Sequence, residues 1–202
     1  MKKSDQHVVE LAPLQVQRME IAIEGVTELI DHRWSDKAKQ MMLDKELGKA
    51  TRKKPPRNPQ EEYEACLYRL DDGRYGFPAT GFKAAIVGAC RLFDGLTMTA
   101  IKSAVFVDGI QNSHGEVLVP IIGEPHMRED MVRLGQGQAD LRYRAGFWPW
   151  RAILPITFVS SAITPEQVVA LVDAAGLGGV GEWRPSAPKS ATGSFGRFRV
   201  AG

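Results

Sequence analysis

The last quarter of the chain, residues 164–200, constrains the fold most. It combines a capped helix, a long glycine-rich loop and a short closing strand. The letters TPEQ, which begin at Thr164, place a hydroxyl at the N-cap, a proline at N1 and a glutamine at N3, all of which favour helix initiation. An apolar stripe at helical spacing follows, and Gly176 is typical of a left-handed C-cap. The sequence therefore predicts a helix at residues 164–175.

The rest of the chain alternates between strand and helix patterns. Apolar and polar residues alternate through residues 15–24, as in a half-buried strand. The main predicted elements are a strand at 15–24, a helix at 80–93, strands at 102–107 and 151–159, a helix at 164–175 and a strand at 195–200. Shorter strands are predicted at 62–70 and 117–122. This βαββαβ order predicts an α+β protein with a ferredoxin-like (RRM-like) core, whose helices cover one face of an antiparallel sheet.

Length and composition favour one domain over residues 1–202 that carries two insertions. The chain is 44% hydrophobic and 25% charged, which is ordinary for a globular protein. The first insertion, at 35–62, is basic and follows the first strand. The second, at 108–149, precedes the third strand and contains a predicted hairpin around GQGQ. No apolar run reaches the roughly 20 residues of a membrane span, so we expect a cytoplasmic protein without membrane contact.

Positive charge concentrates in the basic segment at residues 35–57. Ser35 is predicted to cap a short helix there, and Gly48 followed by two prolines ends it. This helix has only a weak apolar edge, so we expect a protruding insertion whose lysines and arginines face a polyanion. A solvated surface helix is the alternative interpretation.

The glycine-rich loop contains GLGGVG, but these glycines follow a helix, whereas the dinucleotide-binding motif follows a strand. What remains is a loop in which glycines let backbone amides converge on an anion. A flexible surface turn is the alternative. Trp183 in the same loop offers a stacking plane, and Arg184 and Lys189 offer charge.

Catalytic and metal-binding patterns are weak. Asp31 and Asp36 flank His32 and are the candidate residues for metal-dependent chemistry. The four histidines lack zinc-ligand spacing, and no metal or cofactor is predicted. The two cysteines, Cys66 and Cys90, are predicted to be buried thiols of a reducing compartment. The aromatic stretch FWPW at 147–150 favours core packing or self-association over base stacking.

Three features together resemble the RAMP superfamily, and within it the repeated backbone subunit of CRISPR effector complexes. They are the opening strand MEIAIEGVTELIDHR, which runs into a turn of small residues and leucine, the basic insertion before the first helix, and the glycine-rich loop between the last helix and the closing GRFRV strand. The loop lacks a basic residue directly after its paired glycines, so Arg184 and Lys189 would supply the charge.

The resemblance implies a protein that binds an RNA backbone without reading its sequence and that oligomerises along the strand, the basic insertion acting as a thumb. Single-stranded DNA and other effector subunits are further expected partners. The residues predicted to contact nucleic acid are Arg33, Lys37, Lys45, Lys49, Arg52, Lys53, Lys54, Arg57, Arg142, Arg144, Gly178, Gly179, Gly181, Trp183, Arg184 and Lys189.

Two other functions fit the same sequence. A phage or plasmid protein of this fold could be structural or inhibitory and could assemble through protein contacts. A metal-dependent ribonuclease would use Asp31 or Asp36. We expect binding without catalysis.

Overall fold

The structure, a computed structural model, describes residues 13–49, 56–133, 139–188 and 191–202. The helices in these ranges are α1 (Asp36–Glu46), α2 (Pro59–Cys66), α3 (Ala79–Ala89), α4 (Met98–Ala104) and α5 (Pro165–Gly178). The strands are β1 (Val16–Gly25), β2 (Leu29–Asp31), β3 (Tyr68–Arg69), β4 (Tyr75–Pro78), β5 (Val105–Val107), β6 (Ile110–Gln111), β7 (Val117–Ile122), β8 (Pro125–Arg133), β9 (Ala139–Phe147), β10 (Arg151–Val159) and β11 (Phe198–Val200).

The strands of the described ranges form two antiparallel sheets. The larger sheet has the order β11-β1-β10-β7-β4-β3, and β5 pairs with β10 while β6 pairs with β7. The smaller sheet has the order β2-β9-β8. The predictions of an α+β fold and of an antiparallel sheet are therefore confirmed.

The core lies between the larger sheet and the helices on one of its faces. Along β10 the buried side chains alternate with outward ones, so Leu154 and Phe158 point inward while Ile153 is 48% exposed. Helices α3 and α5 pack together, and Phe82 of α3 makes an edge-to-face contact with Phe198 of β11 at a centroid distance of 6.1 Å. Burial of each such aromatic side chain stabilises the fold by about 1.5–3 kcal/mol.

Helix α5 begins as predicted but ends later. Thr164 and Gln167 form both hydrogen bonds of a capping box. The predicted C-cap at Gly176 is wrong, since Gly176 lies inside the helix and Gly179, at φ +66°, is the C-cap. A Cβ on Gly176 would lie 1.8 Å from the carbonyl oxygen of Phe198. Gly176 therefore lets β11 approach the helix. This requirement comes from tertiary packing and cannot be inferred from the local sequence.

Three strand predictions need correction. Residues 62–66 belong to α2, which begins at Pro59 and whose N-cap, Asn58, accepts hydrogen bonds from two backbone amides. Residues 102–104 belong to α4, which Thr97 caps. The closing strand is limited to 198–200. The helix caps Asn58 and Thr97 determine the first two corrections. The turn at Gly196, which has φ +65°, precedes the closing strand.

The two predicted insertions contain a helix and a hairpin. Ser35 caps α1 as predicted, and no residue of α1 is buried. Strands β8 and β9 pair over their full lengths, which confirms the hairpin; its GQGQ turn lies outside the described residues. Helix α2 packs against β9, and the Cys66 thiol donates to the Tyr143 carbonyl oxygen at 3.3 Å.

Candidate functional site

A groove lies between helix α3 and the C-terminal loop, which we define as residues 179–197. Its volume is about 220 Å³. The lining residues are Gly81, Ala84, Ala85, Gly88, Arg91, Met98, Val180, Gly181, Arg184, Ser186 and Pro188. Of the described residues that line it, none is acidic and two are arginines, so the groove fits an anionic ligand.

One wall of the groove is a stripe of small residues on α3. Gly81, Ala84, Ala85 and Gly88 recur at spacings of three and four residues, which places them on one helix face. A Cβ on Gly88 would meet nothing within 4 Å. Gly88 therefore opens the groove and is not needed for close packing within the protein.

The opposite wall is the first half of the C-terminal loop. Gly181 has φ +78° and lies so close to β2 that a Cβ would be 2.6 Å from the carbonyl oxygen of Ile30. The next amide, of Glu182, donates to that same oxygen at 3.0 Å. Arg184 donates from Nη1 to the Gly181 carbonyl oxygen at 2.8 Å, which holds its guanidinium beside the groove.

The predicted anion cradle of backbone amides is only partly compatible with these contacts. The Gly179 amide donates to the Ala175 carbonyl oxygen, so it is not free for an anion. Gly178 is the last residue of α5, and its carbonyl oxygen accepts from the Ser186 amide at 3.0 Å. These glycines shape the loop, and the charge of the groove comes from the arginine side chains.

Behind the loop lies a buried charged cluster that sequence reasoning missed. Arg144 was predicted to contact nucleic acid, but it is only 5% exposed. Its guanidinium lies 4.8 Å from the ring centre of Trp183 and pairs with Glu182 at 3.7 Å. A hydrogen bond from His32, opposed by burial, lowers the pKa of Glu182. Arg144 and Trp183 thus serve to hold the loop.

Asp31 and Asp36 occupy different environments. Asp31 is fully buried, and neither carboxylate oxygen has a hydrogen-bond partner of normal geometry. Burial raises its pKa well above the ordinary value, and the Tyr68 backbone amide offsets this only in part. Asp36 is exposed, and a hydrogen bond from Lys39, followed by the charge of Arg33, lowers its pKa. The structure thus gives Asp31 no access to a nucleic-acid strand.

The remaining predicted contacts lie on the basic segment and the hairpin. Lys37 and Lys45 are exposed on α1, while Lys49 pairs with Asp44 at 3.0 Å. Other cations are neutralised by acidic neighbours: Arg33 bonds Glu116, Arg57 bonds Glu62 and Asp140, and Arg142 bonds Asp140. Arg52, Lys53, Lys54 and Lys189 lie outside the described residues.

Several other sequence features can be located. Within the described ranges, no group of three or more histidine, cysteine or carboxylate side chains could hold a metal ion. Both cysteines are buried and unpaired, as predicted, and burial raises the pKa of Cys66 to about 11. Phe147 and Trp150 of the FWPW stretch are core residues, whereas Trp148 is 51% exposed. No helix of the described part is long and apolar enough to cross a membrane.

The groove was detectable in the sequence only in part. The small-residue spacing of α3 is visible in ATGFKAAIVGA, but this spacing alone does not identify a groove wall. The loop wall and Arg91 could not be assigned to it, because they are distant in sequence and meet α3 only in the fold.

Comparison with known proteins adds a structural likeness. No protein-family model matches the chain, and no curated protein matches its sequence. Solved structures do match, among them the crystal structure of Cmr6 from Pyrococcus furiosus, at 11% sequence identity and a TM-score of 0.42, over 94% of this chain and 100% of that chain. A TM-score of this size is too low to support an argument, so function is argued from this chain's own residues.

Proposed function

We propose that this protein binds single-stranded nucleic acid, principally RNA, through the backbone and without sequence readout or cleavage. The observation that carries the proposal is the groove between α3 and the C-terminal loop. It joins two arginines with a wall of glycines and alanines, and the lining residues include no carboxylate.

The groove fits a sugar–phosphate backbone for physical reasons. Small side chains on α3 let a polymer backbone approach the helix closely, and guanidinium groups pair with phosphate oxygens. Arg91 lies at the C-terminal side of α3, where it contacts the Met98 sulfur at 3.2 Å. Arg184 faces it from the loop. Donors of this kind recognise phosphate and carry no base information.

We further propose a ferredoxin-like βαββαβ core of RAMP type, made of β1, α3, β5, β10, α5 and β11. The pairings of β11 with β1, β1 with β10 and β10 with β5 support it, since they give the four core strands the spatial order 4-1-3-2. In this order the two helices connect strands that are parallel to each other and have one antiparallel strand between them. The loop after the second helix is then the glycine-rich loop of the groove.

A backbone role in a CRISPR-type effector, with copies arrayed along the strand, is the fuller form of the proposal. Helix α1 supports it, because it has no buried residue and exposes Met41, Met42 and Leu43 beside its lysines. A helix of 11 residues is marginal in isolation, so a neighbour that covers it would stabilise it. The unpaired cysteines support a reducing, cytoplasmic location.

The test is fluorescence anisotropy with a labelled RNA of about 40 nucleotides, several times the site size of roughly 4–16 nucleotides of other strand-binding folds. Wild-type protein should bind, and its affinity should fall steeply between about 50 and 200 mM salt. Arg91→Gln and Arg184→Gln should each weaken binding and flatten the salt dependence by about one phosphate contact.

The matched control is Arg18→Gln, which removes the same charge from an exposed position on β1 outside the groove. It should leave affinity within about twofold, because exposed distant charges are screened. No binding by wild type at low salt would contradict the proposal; if the protein self-associates under those conditions, assembly through protein contacts becomes the better function. Cleavage of the RNA would contradict binding without catalysis.

A further inference from the structure

The hairpin of β8 and β9 contacts the C-terminal loop through one buried carboxylate. Asp130 of β8 is 6% exposed and accepts a hydrogen bond from Arg128 Nη2 at 2.9 Å. Its other oxygen lies 3.6 Å from Nη1 of Arg144 on β9. Asp130 is thus hydrogen-bonded to Arg128 and ion-paired with Arg144. Arg128 also pairs with Glu28, and Arg144 also pairs with Glu182.

Each of these arginines covers an aromatic ring of the C-terminal loop. Arg144 lies over Trp183 at 4.8 Å, and Arg128 lies over Phe195 at 5.0 Å. The two rings contact each other at 6.0 Å, and the Phe195 amide donates to the Trp183 carbonyl oxygen. The two ends of the loop are therefore held together under one pair of cations, an arrangement that partial burial strengthens.

The contact reaches the groove through one residue. Trp183 has φ +53°, which is unfavourable for a bulky side chain and persists only where surrounding contacts impose it. The next residue is Arg184, which lines the groove. A loop that lost its ring contacts would relax at Trp183 and turn the Arg184 guanidinium away from α3.

We propose that Asp130 is a positioning residue for the groove, acting through Arg128 and Arg144 on Trp183 and Phe195. This assignment rests on the proposed function for its effect on RNA, whereas its effect on the loop is independent of any ligand. It also gives the β8–β9 hairpin a role at the groove: it sets the geometry of the wall that carries Arg184.

An electrostatic role and a positioning role of Asp130 predict opposite changes in RNA affinity for the substitution Asp130→Asn. Asp130→Asn removes a negative charge, so a purely electrostatic role predicts tighter RNA binding. A positioning role predicts weaker binding, because Arg128 loses a charged acceptor and Arg144 loses an ion-pair partner. The matched control is Glu129→Gln, which removes the same charge from an exposed neighbour on the opposite face of β8.

The experiment combines hydrogen–deuterium exchange with RNA anisotropy on full-length protein at a temperature well below its unfolding midpoint. In Asp130→Asn, amides of residues 179–188 should exchange faster while those of α5 stay unchanged, and RNA affinity should fall about tenfold, within the usual range of site coupling. Glu129→Gln should change neither. Arg144→Lys keeps the positive charge but loses the planar guanidinium that lies over Trp183, so it should reproduce both effects. It replaces Asp130→Asn as the test variant if Asp130→Asn does not fold.

Three outcomes separate the two proposals. Unchanged exchange at 179–188 in the variants overturns the positioning role whatever the RNA data show. Faster exchange with unchanged or tighter RNA binding overturns its connection to the groove. Faster exchange in a protein whose wild type binds no RNA contradicts the proposed function but supports the control of the loop by Asp130.

Discussion

The carboxyl group of Asp31 is in an unusual position for an ionisable side chain. It lies at the end of β2, fully buried, and its strand partner is Ala145 of β9. Tyr68 is close by, and burial, followed by the charge of Asp31, raises the pKa of Tyr68 to about 12. An ionised carboxylate there would lack adequate hydrogen bonds, so burial favours the protonated form more than it is favoured in an exposed aspartate.

Asp31→Asn should therefore stabilise the protein at neutral pH. Folding raises the pKa of Asp31 above its ordinary value of 3.8, so the folded state binds more protons than the unfolded state above that pH, and stability falls as pH rises towards the folded pKa. The variant avoids this cost, which is about 1.4 kcal/mol for each pH unit between the two pKa values. Urea unfolding at several pH values measures it.

The pH dependence is the control within that experiment. The advantage of Asp31→Asn should vanish below the unfolded pKa, where aspartate is protonated in both states. A variant that is less stable than wild type at neutral pH would show instead that the ionised carboxylate makes favourable interactions in the fold.

At the scale of elements, two glycines show how similar sequence positions can serve opposite purposes. Gly88 lies near the end of α3 and Gly176 near the end of α5. An added methyl group would meet nothing within 4 Å at Gly88, but would lie 1.8 Å from the Phe198 carbonyl oxygen at Gly176. The first glycine keeps a surface open, and the second permits packing of helix against strand.

Alanine at these two positions should change stability in opposite directions. Gly88→Ala should raise the free energy of unfolding by about 0.5–1 kcal/mol, through helix propensity and a less flexible unfolded chain. Gly176→Ala should lower it by about 2 kcal/mol or more, because β11 must move away from α5. Paired urea titrations measure both, and equal effects of the same sign would contradict the packing described here.

Elements were predictable where short-range chemistry decides them. The alternation of β1 and the capping box of α5 required no knowledge of distant residues. Helix α2 was not predicted, although Asn58 and Pro59 are typical of a helix N-terminus. The alternating apolar residues that follow them are typical of a strand. The end of α5 could not be predicted, because the glycine at position 176 is required by the close approach of β11. That strand lies more than 20 residues further along the chain.

At the scale of the whole molecule, the candidate site joins segments that are distant in sequence. Helix α3 supplies the small-residue wall, the C-terminal loop supplies Arg184, and the β8–β9 hairpin holds the loop through Asp130. The sequence predicted the loop and its basic character, but it also predicted that Arg144 contacts nucleic acid. Which face of a strand is buried depends on the elements that pack on it, and here the loop covers Arg144.

The most direct test of the central claim is to fill the groove without disturbing the fold. Gly88→Leu places a side chain in the groove from a position where the first added atom meets nothing, and it leaves every charge in place. RNA anisotropy at low salt should show binding at least about tenfold weaker than wild type, as expected when contacts that depend on close approach are lost. Gly88→Ala should bind within about twofold of wild type. If folded Gly88→Leu protein bound RNA with wild-type affinity, the claim that the RNA strand lies between α3 and the C-terminal loop would be contradicted.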